Sequence, residues 1–89
     1  MNRITIDGSH IESREHLFQS LREQIGEDRL IGSNLDALYD VLTAFTEYTE
    51  LEVFYEDRLT SNLGDYWKKL LWVINDCLDE NENLKLIVK

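Results

Sequence analysis

Near the middle of the chain, acidic and hydroxyl side chains recur at helical spacing. Asp36, Asp40, Thr43 and Glu47 stand at i, i+4, i+7 and i+11, with Tyr39 beside them and no Lys or Arg among them. Residues so spaced share one face of a helix. Like charges one turn apart cost an isolated helix about 0.2–0.5 kcal/mol per pair. Asp36 is relieved by the positive end of the helix dipole, since it falls in the first turn; Asp40 lies a turn further on and gains little. The pattern leaves two uses open: a solvated acidic face, or a patch built to meet a cationic partner. Aromatic residues around a charged centre are the usual makeup of an interface, and Tyr39 and Phe45 flank this one.

Catalytic chemistry has little to stand on. Asp36 and Asp40 could ligate Mg²⁺ or Ca²⁺, which take carboxylate oxygens, but two carboxylates on a helix without loop ligands make a weak site. The two histidines, His10 and His16, belong to no motif, and no glycine-rich phosphate loop is present. Cys77 has no C-x-x-C partner and sits in an apolar helical pattern, which predicts a buried, inert thiol. The expectation is a protein that is not an enzyme and needs no metal or cofactor.

The acidic row needs a helix, and the sequence supplies one over Asn34 to about Phe45. Ser33 or Asn34 can cap its start by accepting from a first-turn amide, while Leu35, Leu38, Leu42 and Phe45 form the stripe that faces a core. Around it the chain alternates strand and helix. Arg3–Asp7 reads as a strand closed by Gly8, after which Ile11 reaches back to the core. Ser13 caps a helix running to Ile25 with Gly26 as its stop, and Gly26–Ser33 is a connector. Glu50–Tyr55 is β-branched and aromatic, hence a second strand; Glu56–Ser61 is a short helix ended by Asn62 or Gly64. A long helix begins at Asp65 and buries at least one of Trp67 and Trp72, which at i, i+5 do not share a face. Asp79–Asn83 is a polar turn and Leu84–Val88 the last strand. Strands separated by helices predict an α/β fold, a three-stranded, mostly parallel sheet with helices packed on it.

At 89 residues the chain is expected to form one domain, residues 1–89. The net charge of −9 argues against nucleic acid and anionic membranes as partners and favours a basic protein. The excess is local: Leu30 to Asp57 holds seven acids and no Lys or Arg, fenced by Arg29 and Arg58. No signal peptide or membrane span is recognisable, and a single cysteine suits a reducing compartment, so the expected location is cytoplasmic.

The run I-G-S-N-L-D-A-L-Y-D-V-L-T from Ile31, followed by Phe45 and Glu47, resembles the barstar family of intracellular ribonuclease inhibitors, and N-L-D-A-L-x-D is its specific core. The order of strands and helices along nearly the whole chain is similar. The resemblance implies a small α/β fold with a three-stranded parallel sheet and a job: binding a basic, barnase-like extracellular ribonuclease before it leaves the cell; the chain is expected to be a monomer. It implies that Asp40 enters the nuclease's phosphate pocket, pairing with arginines and a histidine, and that Asp36 supports it. Gly32, Asn34, Leu35, Ala37 and Thr43 fall on further contact positions, Ala44, Phe45 and Glu47 continue that surface, and Asp76 falls on a peripheral acid. Two contact positions depart from the family pattern: Leu30 replaces an aromatic residue and Tyr39 a tryptophan. Thr49 stands where the type member has proline. The alternative reading is an acidic interaction module or antitoxin that binds a different basic protein.

Overall fold

The structure is a computed structural model that describes residues 2–26 and 34–89. Three strands, β1 (Asn2–Asp7), β2 (Thr49–Phe54) and β3 (Leu84–Val88), alternate with four helices, α1 (Arg14–Ile25), α2 (Leu35–Thr43), α3 (Glu56–Leu63) and α4 (Asp65–Glu80). The strands form one sheet in the order β1-β2-β3, parallel throughout. The predicted architecture is therefore the one observed.

Register explains the two faces of the sheet. Ile4 pairs with Leu51 and Leu51 with Leu86; Ile6 pairs with Val53. Because side chains alternate along a strand, these residues share the face that meets the core with Leu17, Phe18, Leu21, Leu38, Leu42, Trp67, Leu70 and Ile74. The intervening residues include the charged Arg3, Glu50, Glu52 and Lys85 beside Thr5, Phe54 and Ile87. Glu52, only 8 % exposed, holds Arg3 at 3.0 Å and Lys89 at 3.6 Å, so a carboxylate on the central strand is neutralised from both neighbouring strands' ends. On the outer edge of β1, the Gln24 side chain accepts from the Thr5 amide at 2.7 Å and donates to the Thr5 carbonyl at 2.8 Å. It stands where a further strand would otherwise add.

Local chemistry sets the element ends. Ser13 caps α1 by accepting from the His16 amide, and Gly26 closes it, as the sequence predicts. Gly8 is required because a Cβ there would meet the Tyr55 carbonyl oxygen at 2.2 Å. The second strand was expected to run through Tyr55; it stops at Phe54 because Tyr55 takes the left-handed conformation at φ 54 and starts α3, its carbonyl accepting from Arg58 and Leu59. The short helix extends to Leu63, and Gly64, at φ 60, divides it from α4. The polar turn expected from Asp79 is shorter, because α4 keeps Asp79 and Glu80 and ends at Asn81, whose amide bonds the Cys77 carbonyl.

Candidate functional site

Asn34 is the residue that starts α2. Its side-chain oxygen accepts from the amides of Asp36 at 2.9 Å and Ala37 at 3.3 Å, satisfying two of the donors a helix start leaves unpaired. Leu38, Val41 and Leu42 are buried beneath the helix, while Asp36 and Asp40 are exposed above it. Leu35 and Ala37 are half-buried at its flanks. Thr43, half-buried, continues the row, its hydroxyl donating back to the Tyr39 carbonyl at 2.7 Å and reaching the Asp40 carbonyl at 3.3 Å. Among the described residues no basic side chain lies within ion-pair distance of Asp36 or Asp40.

The helix is shorter than the sequence predicts. It ends at Thr43, with Ala44 as an exposed cap whose amide turns back to the Val41 carbonyl. The cause is Asn81, the cap that follows α4: its side-chain amide donates to the carbonyls of Leu42 and Phe45, both at 3.0 Å, and takes the acceptor a further helical turn would use. Two expected site residues therefore leave the helical row. Phe45 is half-buried, packed against the core, and borders a small cavity with Asn2, Arg3, Ile4, Gln24, Ile25 and Thr49. Glu47 is exposed in the link to β2 and accepts from the Asn2 side chain at 3.1 Å. Leu30 and Gly32 lie outside the described residues.

Tyr39 joins the acidic row to a second helix. Half-buried against the core where α2 packs on α4, it has its phenol pushed up in pKa, first by burial and then by the charges of Glu80, Cys77, Asp76 and Asp40. Cys77 reaches the Tyr39 carbonyl at 4.0 Å. Asp76 thus belongs to the same acidic surroundings as Asp40. Glu80, which the sequence reading did not single out, belongs there too; its position one turn beyond Asp76 was the available signal. At the other end of α2 the sign changes. A shallow groove of about 520 Å³ is lined by Asn34, Leu35 and Asp36 together with Arg14, Tyr66 and Lys69, and Arg14 lies over the Tyr66 ring at 5.1 Å from its centroid.

Among the described residues no group of three His, Cys, Asp or Glu could hold a metal, and no helix is long and apolar enough to cross a membrane. His10 is exposed near Asp7, and the Cys77 thiol is buried with its pKa raised to about 11, chiefly by burial and then by Asp76. What the geometry offers is a rigid helix presenting carboxylates, with an aromatic side chain between two acidic helices. Fold and face together are those of a small α/β protein with an exposed acidic helix. The family follows from comparison: the model for Barstar (barnase inhibitor) matches residues 1–89, and the chain belongs to that family. It is also 31 % identical over 91 residues, covering 100 % of both chains, to the Bacillus subtilis (strain 168) protein named "Putative ribonuclease inhibitor YrdF".

Proposed function

We propose that this chain is a cytoplasmic, monomeric, single-domain inhibitor of a basic, barnase-like extracellular ribonuclease, and that it has no catalysis of its own. The observation that carries the reading is the pair Asp36 and Asp40, exposed on α2 without a cationic partner among the described residues. Membership of the barnase-inhibitor family supports it.

A carboxylate resembles a substrate phosphate in one respect that matters to a nuclease: both present anionic oxygens to forked guanidinium donors. Asp40, mid-helix, enters the nuclease's phosphate pocket and Asp36 supports it from the first turn. Asp40 is fixed because its backbone is helical and the face beneath it, Leu38, Val41 and Leu42, is buried. A rigid mimic loses little freedom on binding and offers no bond to cleave. Tyr39, Thr43 and Asn34 border the contact, with Leu35, Ala37, Ala44 and the loop residues Phe45 and Glu47 around it and Asp76 at its margin. The repulsion among these acids in the free protein is relieved when the nuclease's cations arrive. The net charge of −9 also speeds the encounter with a basic partner, an effect that salt screens.

The test is inhibition of a purified barnase-type ribonuclease by the purified protein at low and at moderate salt. Stoichiometric inhibition that weakens with salt is expected. Binding to another basic protein, with no effect on the ribonuclease, would replace this reading by that of an antitoxin for a different target.

A further inference from the structure

Trp72 is the large apolar side chain of α4 that the core leaves exposed. It is 77 % exposed, whereas Trp67, Leu70, Ile74 and Cys77 of the same helix are buried. An indole left in water forgoes the stabilisation that burial would bring, and tryptophan is among the residues most enriched at binding hot spots.

Two routes connect Trp72 to the acidic face. Asp76 is one helical turn beyond it, on the same side of α4, and Asp76 shares the surroundings of Tyr39 with Asp40 and Glu80. On the other side, Trp72 lines a concavity of about 460 Å³ with Asp65, Lys68 and Lys69. Lys69 also lines the groove that contains Asp36. The surface from Asp36 through Lys69 to Trp72 is therefore continuous. Its charge is not uniform: Lys68 and Lys69 line the concavity at the indole, with Asp65 paired to Lys68 at 4.0 Å, and Arg14 lines the groove beyond, while Asp76 and Glu80 follow further along α4.

Size points to the same occupant as the acidic helix. A specific interface covers about 800 Å² on each partner, roughly 20–30 residues a side. The nine residues of α2, several of them buried, remain too few for that even with Asn34, Ala44, Phe45 and Glu47 at the helix ends, and α4 is the helix packed beside it. Resting on the ribonuclease-inhibitor reading above, we infer that the ribonuclease seated on α2 also covers Trp72 and presents an acidic group to Lys69. The partner's surface is then bipolar: basic where it meets Asp36 and Asp40, acidic at the rim that meets Lys69. Such a rim fixes the orientation of docking and rejects nucleases that are basic throughout.

The experiment measures the affinity of a purified barnase-type ribonuclease for the full chain, for Trp72→Ala and for Lys69→Glu, with Asp40→Ala alongside. Both α4 side chains are exposed, so circular dichroism is expected to show unchanged folding in these variants. Trp72→Ala is expected to weaken binding at least about tenfold, as for a hot-spot tryptophan. Lys69→Glu is expected to weaken it by several-fold at low salt and less at high salt. Trp72→Ala binding within twofold of the unmodified chain, while Asp40→Ala fails to bind, would overturn the inference and leave the inhibitor reading intact. Tighter binding by Lys69→Glu would overturn the acidic rim. Self-association of the unmodified chain that Trp72→Ala abolishes, without change in ribonuclease affinity, would assign the patch to a second copy and overturn the inference. Absence of binding by the unmodified chain would overturn the inhibitor reading itself.

Discussion

The Asn81 side chain donates to the Leu42 carbonyl at 3.0 Å, across 39 positions of sequence, and so ties the end of α4 to the end of α2. The same amide reaches Phe45, and its oxygen accepts from the Asn83 amide at 3.0 Å. Asn81 is buried, so these groups have little water to turn to. Asn81→Ala is expected to destabilise the fold by about 1–3 kcal/mol, the cost of leaving buried polar groups unpaired. Urea denaturation followed by circular dichroism measures this, and a midpoint equal to that of the unmodified protein would show that the tie is dispensable.

Cys77 gives a pH prediction with a definite sign. Its folded pKa, about 11, lies above the 9.0 of a free thiol, so the folded state holds its proton more tightly than the unfolded chain. The stability this represents is complete below pH 9 and is lost as pH rises from there through 11. Alkylation by iodoacetamide at pH 8 is expected to be slow in the folded protein and fast in denaturant. Equal rates in the two states would contradict a buried, protonated thiol.

The comparison of sequence with structure turns on where each boundary is decided. Ser13, Gly26 and Asn34 act on amides and carbonyls within a few residues, so the ends of α1 were legible and the start of α2 was narrowed to Ser33 or Asn34. The ends of α2 and β2 were not. The first is decided by Asn81, far along the chain, and the second by Tyr55 turning left-handed beside Gly8. The acidic row was legible for as long as the helical period held, through Asp36, Asp40 and Thr43. Extending the period to Glu47 failed because the helix had stopped. Glu80 stands one turn beyond Asp76 in the sequence, but the packing of α4 against α2 is what brings that turn to Tyr39.

Gln24 predicts a change in association. By pairing with both backbone groups of Thr5 it occupies the outer edge of β1. Gln24→Ala frees those groups, and an open edge invites another strand. Sedimentation velocity is expected to show concentration-dependent association in the variant and a monomer in the unmodified protein. A variant that stays monomeric at the same concentrations would show that other features guard the edge.

Association with a basic ribonuclease is expected to be faster at low salt. At 0.1 M ionic strength the screening length is about 10 Å, and it grows to about 30 Å at 0.01 M. The rate constant for binding, measured by stopped flow, should rise by an order of magnitude or more over that range, with a much smaller change in the dissociation rate. An association rate independent of salt would mean that the acidic surface does not steer the encounter.

The central claim is that Asp40 occupies the phosphate pocket of a ribonuclease. Its most direct test is titration calorimetry of a barnase-type ribonuclease with the unmodified protein, with Asp40→Ala and with Glu23→Ala, an exposed acid on α1 remote in sequence from the face. Truncating one partner of a buried, hydrogen-bonded charge pair costs at least about 2 kcal/mol, so Asp40→Ala should weaken binding by a factor of about thirty or more. Glu23→Ala should alter it by less than about twofold, as expected for a screened surface charge. Equal losses in the two variants would contradict the account, because the acids would then act only through total charge and Asp40 would hold no special place.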